Sequence, residues 1–337
     1  MMKVLFIGGN GNISWNCVQK SIDAGHEVVE LNRAATRTTR RAVQPEVRQI
    51  VVDIHNQETA RQALEGETFD AVCDFICFNR EQAQRAVRLF RCRTKQYIAV
   101  SSEAVYKRES RNLPFRENAE QYAGDVADSY IAGKIQVENV FEEAYEKEGF
   151  PVTIVRPGYT YDTIIPAPVG QNCFTAPRKF IEGYPLLMPG DGENLWSPLH
   201  AEDFAQAFVH LIGNKDTIGE AYHITGESLL TWNELARQLL TVLGADCENI
   251  LHIPRKEALN ITAFHSKVVM QQHMWHYVFD NTKIKSIATG WCQRISFAQG
   301  IDTTVKWLQE ADVRRRINPA YDDALEQLYG VYWKERK

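Results

Sequence analysis

Near-continuous apolar runs alternate with segments of helical periodicity through the first half of the chain. Each run is short, and the segment after it repeats its apolar residues at helical spacing. Strands that are buried on both faces have this pattern, whereas half-exposed strands alternate apolar with polar residues. The pattern predicts strands at 3–7, 27–31, 49–53, 69–76, 96–102 and 151–157, and helices at 13–24, 57–64 and 80–91.

Beyond Pro157 the regular alternation ends. Turn-rich stretches at 166–170 and 189–192 separate short helical segments such as 232–243, and no internal repeat is present. Strands that alternate with helices favour a parallel sheet covered by helices on both faces. We therefore predict an α/β fold, a Rossmann-type doubly wound parallel sheet followed by a smaller C-terminal α/β domain.

A glycine-rich loop joins the first predicted strand to the first predicted helix. Gly8 and Gly11 lie in it, and Ser14 stands where a third glycine is usual. Glycines let a backbone turn tightly and approach a pyrophosphate, which then lies at the helix N-terminus. Because the loop lies between a strand and a helix, it predicts a dinucleotide site; a plain turn is the alternative. We expect residues 1–157 to bind NAD(P) and residues 158–337 to form mainly the substrate cap, with later segments returning to the first domain.

Tyr130 and Lys134 stand four residues apart at the start of an amphipathic segment. Residues at this spacing share one face of a helix. There a lysine ammonium favours the phenolate, so we expect it to lower the pKa of the tyrosine from about 10 towards neutrality. Such a phenol can exchange a proton with a sugar hydroxyl or ketone. A solvated helix face is the alternative interpretation of this spacing.

Composition excludes few functions. The chain has 337 residues, 44% of them hydrophobic and 24% charged, and a net charge of −5, which gives no general reason to expect nucleic-acid binding. No apolar run is long enough to span a bilayer, so we expect a cytoplasmic protein without a membrane partner. The seven cysteines are scattered without metal-type spacing, which predicts reduced thiols and no metal site.

Several motifs stand in a fixed order along nearly the whole chain. They are Gly8-x-x-Gly11, Asp53, Ser101-Ser102, Tyr130-x-x-x-Lys134, Arg156-Pro157-Gly158, and later landmarks at 188–192, 199–205, 222–226 and 280–284. In this order they resemble an extended short-chain dehydrogenase/reductase of the NAD-dependent epimerase/dehydratase family. The branch that contains chloroplast stem-loop-binding proteins and bacterial relatives is the most similar in its second-strand ending, Leu31-Asn32-Arg33.

The resemblance implies a role for each matching residue. Tyr130 is the expected acid/base, Ser102 holds the reacting oxygen, and Lys134 holds the nicotinamide ribose. The cofactor-binding residues that it implies, besides Tyr130 and Lys134, are Gly8, Gly11, Asn12, Ile13, Asn32, Arg33, Asp53, Ile54, Ser101, Pro157 and Tyr159. A turn aspartate is the alternative for Asp53. The family habit also implies a homodimer.

Asn32 and Arg33 depart from the pattern of NAD-binding relatives. An acidic residue at the end of the second strand would repel a 2′-phosphate, whereas asparagine beside arginine would accept one. We therefore expect NADP as the cofactor, with NAD as the alternative. In that alternative, Arg33, Arg37, Arg40 and Arg41 form a solvated basic loop.

Two further departures concern the reaction and the substrate. Ala104 stands where sugar-nucleotide dehydratases place a glutamate, which disfavours dehydration although Glu103 remains as one acid/base partner. Trp196 replaces the arginine that clamps a diphosphate in relatives, and it could stack on a ring or fill the domain interface. Arg178 or Lys179 could supply the missing charge, and we expect Glu103, Arg178 and Trp196 to bind substrate. His200 and Asp203 are expected to be structural.

Two classes of function follow. The first is an enzyme that moves hydride at a sugar carbon of a nucleotide sugar, with keto-sugar reductase favoured over 4-epimerase and 4,6-dehydratase. The second is an RNA-binding protein on the same fold, using the basic loop. The complete set of Ser102, Tyr130 and Lys134 argues against the second class.

Overall fold

A parallel sheet organises the computed structural model, which describes residues 1–33, 41–109, 112–126, 128–168, 173–261 and 273–333. The strands are β1 (Lys3–Ile7), β2 (Glu27–Asn32), β3 (Arg48–Val51), β4 (Ala71–Asp74), β5 (Tyr97–Val100), β6 (Val152–Pro157), β7 (Thr160–Tyr161), β8 (Leu186–Pro189), β9 (Leu195–Trp196), β10 (Leu199–His200), β11 (Ala221–Ile224), β12 (Leu230–Thr231) and β13 (Ile250–Ile253). Seven of them form the sheet in the order β11-β6-β5-β4-β1-β2-β3, and all its neighbours run parallel.

Helices cover both faces of this sheet and build the C-terminal half. They are α1 (Ser14–Asp23), α2 (Gln57–Ala63), α3 (Arg80–Phe90), α4 (Ser129–Glu148), α5 (Thr175–Ile181), α6 (Ala201–Phe208), α7 (Trp232–Val242), α8 (Arg255–Ala258), α9 (Thr282–Ile287), α10 (Phe297–Gln309) and α11 (Pro319–Tyr332). The predicted α/β, Rossmann-type doubly wound sheet is confirmed. Among the described residues, no helix is both long and apolar enough to cross a membrane.

The strand order reverses at β1, which pairs with β2 on one side and with β4 on the other. In doubly wound sheets such a reversal opens a crevice at the carboxyl ends of the strands. The loops that follow β1 and β4 therefore face one another, which places the predicted glycine loop at the crevice.

Strand β11 comes from the C-terminal half and extends the sheet beside β6. A strand from beyond residue 157 thus belongs to the central sheet. The boundary at residue 157 stays a prediction.

Helix α4 is fixed to the sheet by a buried ion pair, which we call the Arg156–Glu138 clamp. The Nε and Nη2 groups of Arg156 donate to the Glu138 carboxylate at 2.7 to 3.2 Å. Its Nη1 donates to the Tyr106 hydroxyl at 2.9 Å and to the Glu117 carbonyl at 2.8 Å. Glu138 lies one turn beyond Lys134 on the same helix face, so the clamp holds the face that carries the predicted catalytic residues.

A second contact sets how closely α4 approaches the sheet. A Cβ atom at Gly133 would lie 2.3 Å from the carbonyl oxygen of Phe78, which follows β4. Any side chain at this position would push the helix away. The two backbones therefore meet directly at the residue before Lys134.

Aromatic side chains fill the core of the C-terminal half. Trp196 and Trp232 contact each other with ring centroids 5.1 Å apart, and Tyr277 lies 5.3 Å from Trp196. All three are at most 2% exposed. Tyr159, which follows β6, contacts this cluster, and its ring centroid lies 5.2 Å from that of Trp196 and 5.6 Å from that of Trp232.

Candidate active site

A cavity of about 410 Å³ opens at the carboxyl ends of the central strands. Twelve of the predicted site residues line it: Gly8, Gly11, Asn12, Ile13, Asn32, Arg33, Ile54, Ser101, Ser102, Tyr130, Lys134 and Pro157. Residues as far apart in the chain as Gly8 and Pro157 therefore line the same cavity.

The glycine loop is shaped for close approach to a ligand. Gly8 has φ +76°, a backbone conformation that favours glycine, and a Cβ there would lie 2.6 Å from the Ile76 side chain. Ser14, in the place of a third glycine, donates through Oγ to the Gly8 carbonyl at 2.7 Å and accepts from the Gly11 N–H at 2.8 Å. The serine thus closes the loop with its own hydrogen bonds.

Asn12 connects the glycine loop to the segment after β7. Its Oδ1 accepts from the backbone N–H groups of Asp162 and Thr163 at 3.1 and 2.9 Å, and its Nδ2 donates to the Thr160 carbonyl at 3.1 Å. The side chain is therefore used within the protein, and Asn12 lines the cavity as part of a braced loop.

A buried carboxyl lies at the end of the second strand. Glu30 is fully buried and accepts from Asn32 Nδ2 at 2.7 Å. Burial raises the pKa of Glu30 to about 7, while the hydrogen bond from Asn32 opposes the rise. Asn32 stands between this carboxyl and the cavity, and the exposed Arg33 follows it at the rim.

The two arginines of the predicted basic loop that the structure describes, Arg33 and Arg41, have different environments. Arg41 is paired with the buried Asp162, with Nη2 2.6 Å from Oδ1, and its guanidinium lies 5.0 Å from the centre of the Trp15 ring. Arg37 and Arg40 lie outside the described residues. Arg33 is the member of the cluster that the described part of the chain brings to the cavity.

Lys134 lies at the floor of the cavity and is 2% exposed. Its Nζ donates to the carbonyls of Cys77 and Val100, both at 2.8 Å, and lies 4.4 Å from the centre of the Phe78 ring. Burial lowers the pKa of Lys134 to about 8, and nearby groups led by Cys77 and Asp74 oppose this. The ammonium is thus held by the ends of β4 and β5.

Asp74 and Tyr97 support this floor from below. The Tyr97 hydroxyl donates to Asp74 Oδ2 at 2.6 Å, and the other carboxylate oxygen accepts from the Ile76 N–H at 2.9 Å. These bonds fix the turn that carries the Cys77 carbonyl, which in turn fixes Lys134.

Tyr130 lines the cavity above Lys134 and is 46% exposed. Its pKa is raised, first because the walls around the phenol desolvate it; hydrogen bonding by the neighbouring Ser102 hydroxyl opposes the rise. The expectation that Lys134 lowers the pKa of Tyr130 is therefore wrong for this structure. The Lys134 ammonium lies 5.9 Å from the ring centre and is engaged by two carbonyls.

Five predicted site residues do not line this cavity: Asp53, Glu103, Tyr159, Arg178 and Trp196. Asp53 accepts from the His55 N–H at 2.9 Å and so stabilises a turn, although its neighbours Val52 and Ile54 both line the cavity.

Tyr159 and Trp196 belong to the aromatic core. The Tyr159 ring meets the Trp196 ring edge-on at 5.2 Å, and His273 stacks against Trp196 at 5.3 Å. The indole N–H of Trp196 donates to the Trp275 carbonyl at 3.0 Å. Of the two roles considered for Trp196, the structure favours filling the interior over stacking on a substrate ring.

Arg178 and Lys179 are engaged by acidic residues of α11. Arg178 Nη2 lies 2.7 Å from Asp322 Oδ2, and Lys179 Nζ lies 3.2 Å from Asp322 Oδ1. Lys179 also pairs with Glu326. Both cations therefore connect two cap helices, and the structure does not bring either to the cavity.

Glu103 and Arg108, which we call the Glu103/Arg108 group, are buried beside Tyr130. They are 6% and 2% exposed, and both act electrostatically on the Tyr130 phenol. Burial raises the pKa of Glu103 to about 8, while the charge of Arg108 opposes the rise. Within the described residues, Glu103 Oε2 and the Nε and Nη1 groups of Arg108 have no hydrogen-bond partner.

The sequence interpretation missed Arg108 and several residues that line the cavity. Phe75, Ile76 and Phe78 follow β4, and Ile164 follows β7. The carboxyl end of β4 was a usable signal, because that end of a parallel strand borders the crevice. Arg108 had no such signal, since only burial sets it apart from the other arginines.

His200 and Asp203 make hydrogen bonds within the protein, and their structural role stays a prediction. Asp203 Oδ2 accepts from the Arg294 and Ile295 N–H groups at 3.0 and 2.8 Å, and His200 Nδ1 accepts from the Glu202 N–H at 3.3 Å. In the described ranges, no three His, Cys, Asp or Glu side chains are grouped as metal ligands.

A family model for the NAD-dependent epimerase/dehydratase family matches residues 4–225. The chain belongs to this family. The predicted family is thereby confirmed, and the protein is an enzyme of the NAD-dependent epimerase/dehydratase type.

Two curated members of the family match most of the chain. The 2′-dehydrokanamycin reductase of Streptomyces kanamyceticus is 25% identical over 297 residues, which are 87% of this chain and 81% of that protein. The chloroplast stem-loop binding protein of 41 kDa b of Arabidopsis thaliana is 24% identical over 311 residues, 89% of this chain and 77% of that protein.

Solved structures of the family share the fold. A dTDP-glucose 4,6-dehydratase from Bacillus anthracis, in complex with NAD, has a TM-score of 0.72 at 20% identity and covers 93% of this chain and 98% of its own. A UDP-glucuronic acid 4-epimerase from Bacillus cereus, with NAD and UDP-glucuronic acid, has a TM-score of 0.71 at 16% identity and covers 92% and 99%.

Proposed function

We propose that this family member is a sugar oxidoreductase that reduces a keto group on the sugar of a nucleotide sugar and prefers NADP(H) to NAD(H). One observation carries the proposal. Ser102, Tyr130 and Lys134 line the same cavity as the glycine loop after β1, so an acid/base group and a dinucleotide loop share one site.

The residues at the cavity fit a dinucleotide. Gly8 has the positive φ that lets the loop turn tightly after β1, and Ser101 Oγ is buried without a hydrogen-bond partner among the described residues. Gly8, Gly11 and Ile13 would hold the pyrophosphate at the start of α1, and Arg33 would meet a 2′-phosphate. A bound nicotinamide supplies or accepts the hydride at the sugar carbon.

The state of Tyr130 supports the reductive direction. A raised pKa keeps the phenol protonated at neutral pH, so it can donate a proton to a ketone oxygen. Ser102 would donate a hydrogen bond to the same oxygen and so orient it. Lys134, whose ammonium is held at the cavity floor by two carbonyls, would hold the nicotinamide ribose, as the family resemblance implies.

Two observations argue against the alternatives. Ala104 leaves Glu103 without a neighbouring carboxyl partner for water elimination, and Asp128 uses Oδ1 to cap α4 through the N–H groups of Tyr130 and Ile131. The RNA-binding alternative depends on the basic loop, in which Arg41 is already paired with Asp162.

Identification of the bound dinucleotide is the first experiment. The purified protein is denatured and the released cofactor is identified by mass spectrometry, and oxidation of NADPH and NADH is then followed by absorbance on a panel of keto nucleotide sugars. The proposal expects net oxidation of NADPH. If the denatured protein releases NAD and no net oxidation of NADPH or NADH is seen, the function is epimerisation and not reduction.

The Tyr130→Phe substitution tests the acid/base role. We expect turnover to fall about a thousandfold, because a positioned proton donor contributes roughly that much, while dinucleotide binding is kept. Tyr145→Phe is the matched control, since Tyr145 lies on the same helix and is 40% exposed. Full activity in Tyr130→Phe would show that the catalytic assignment is wrong.

The Arg33→Ser substitution tests cofactor preference. Loss of a charge-assisted contact to a 2′-phosphate should weaken NADPH binding about tenfold, whereas NADH binding should hardly change. Equilibrium titration of cofactor fluorescence measures both constants. Equal weakening for the two cofactors would contradict a contact to the 2′-phosphate.

A further inference from the structure

The Glu103/Arg108 group contains two buried polar side chains that the fold itself does not satisfy. Arg108 is 2% exposed, yet its Nε and Nη1 groups have no hydrogen-bond partner within the described residues. Its guanidinium carbon lies 4.9 Å from the centre of the Tyr277 ring. A buried guanidinium without a carboxylate partner is costly, and the usual remedy is an anion.

The charges around Arg108 favour an anion. Glu103 holds a proton at neutral pH, because its pKa is raised to about 8. Glu109 accepts a hydrogen bond from the Tyr122 hydroxyl, and the same hydroxyl oxygen accepts from the Arg108 backbone N–H. No acidic oxygen of the described residues lies within ion-pair distance of the Arg108 guanidinium, so the positive charge there is not balanced by the fold.

The group adjoins the reacting end of the site, although neither residue lines the cavity. Glu103 directly follows Ser102, and both Glu103 and Arg108 influence the Tyr130 phenol. The Tyr277 hydroxyl donates to the Glu103 carbonyl, and the Arg108 guanidinium lies over the Tyr277 ring. Tyr277 therefore links Arg108 to the short helical turn Glu103–Val105. An anion on Arg108 would therefore be close to the atoms that Tyr130 and Ser102 serve.

We propose that Arg108 anchors an oxyanion of the substrate, a carboxylate or phosphoryl group, beside Tyr130, with Glu103 as its neighbour in the same subsite. The guanidinium would donate to an oxygen of that group from Nε or from Nη1, the two nitrogens that lack a hydrogen-bond partner within the described residues. This inference rests on the proposed sugar oxidoreductase function and deepens it, since it names the charged part of the substrate. It also supplies a candidate cation in place of Arg178.

Equilibrium binding measured by calorimetry tests the subsite without any turnover. The full-length protein and its Arg108→Gln variant are titrated with UDP-glucuronic acid, UDP-glucose and UDP. If the oxyanion is a sugar carboxylate, UDP-glucuronic acid should bind at least about tenfold more tightly than UDP-glucose, and Arg108→Gln should abolish the difference. If it is a phosphoryl group, all three ligands should lose about tenfold in the variant.

Two further variants separate recognition from structure. Arg108→Lys keeps the charge but not the planar guanidinium, so it should restore part of the affinity. Lys107→Gln removes a neighbouring surface charge that pairs with Glu120 at 2.8 Å, and it should bind like the unaltered protein. Thermal unfolding of each variant shows whether the fold is retained.

The inference is overturned if Arg108→Gln binds all three ligands as the unaltered protein does, or if none of the three binds the unaltered protein. It fails separately from the proposed function. Loss of the redox assignment would appear as the absence of net NADPH oxidation by the unaltered protein, whereas loss of the subsite would appear in binding constants alone.

Discussion

Two arginine–glutamate regions of this protein use the same residue types for opposite purposes. In the Arg156–Glu138 clamp, the guanidinium donates to a carboxylate, a phenol and a carbonyl, and both side chains are buried and paired. In the Glu103/Arg108 group, both side chains are equally buried, but no ion pair joins them and three polar atoms lack partners in the described part of the chain.

The difference separates scaffold from site. The clamp completes its own hydrogen bonds and holds α4 against β6, so it needs nothing from outside the chain. The Glu103/Arg108 group keeps an uncompensated charge beside Tyr130, which costs stability in the free protein and is characteristic of a place that a ligand completes. Burial alone therefore does not distinguish these two regions, whereas the number of satisfied partners does.

The clamp should show the largest effect on stability. Arg156→Met leaves Glu138 buried without its partner, and breaking a buried pair in this way costs about 3 to 5 kcal/mol of unfolding free energy. Urea unfolding followed by circular dichroism measures the change. A loss below about 1 kcal/mol would mean that the clamp does not anchor α4.

Glu103→Gln should change stability in the opposite direction and depend on pH. The pKa of Glu103 is raised to about 8 in the folded protein, so between pH 5 and 8 the folded state holds a proton that the unfolded state has released. Stability of the unaltered protein should therefore fall over this range, by on the order of 3 kcal/mol from this group, and the variant should not show that fall.

Unfolding curves at pH 5.5, 7 and 8 check this prediction. The difference in unfolding free energy between Glu103→Gln and the unaltered protein should grow as the pH rises. Parallel dependences in the two proteins would show that the Glu103 carboxyl is not a neutral buried acid.

Arg108→Met should show the smallest effect, again opposite in sign to that of Arg156→Met. Removal of an unpaired buried charge should raise the unfolding free energy by about 1 kcal/mol, after the loss of the contact with the Tyr277 ring. The same urea titration applies. A loss of stability of more than about 2 kcal/mol would make Arg108 a structural residue, like Arg156.

Much of the fold and part of the site could be predicted from the sequence because the signals are local. The glycine loop, Ser101-Ser102 and the Tyr130/Lys134 spacing each lie within a few residues, and a strand or helix then carries them to the crevice. Arg178 and Trp196 could not be placed in this way. Their partners, Asp322 and Trp275, lie 144 and 79 residues further along the chain.

The electrostatic part could not be predicted either. Four-residue spacing puts Tyr130 and Lys134 on one face, but the direction of the tyrosine pKa depends on which carbonyls receive the ammonium. Cys77 and Val100 belong to two other strand ends, and nothing near Lys134 in the chain identifies them. The role of Arg108 could not be predicted either, because its distinguishing feature is the lack of hydrogen-bond partners for Nε and Nη1 in the described residues, and no sequence pattern indicates such a lack.

The close approach at Gly133 has a consequence for how the enzyme tolerates change. Helix α4 contacts the Phe78 carbonyl through backbone atoms. Because the contact contains no side chain, substitutions elsewhere in the core cannot change its size. The distance between α4 and the sheet should therefore stay the same when residues of the surrounding core are substituted. Variation accumulating over long evolutionary times, or introduced in a laboratory library, can reshape the substrate side while the phenol and the ammonium keep their distance from the strand ends.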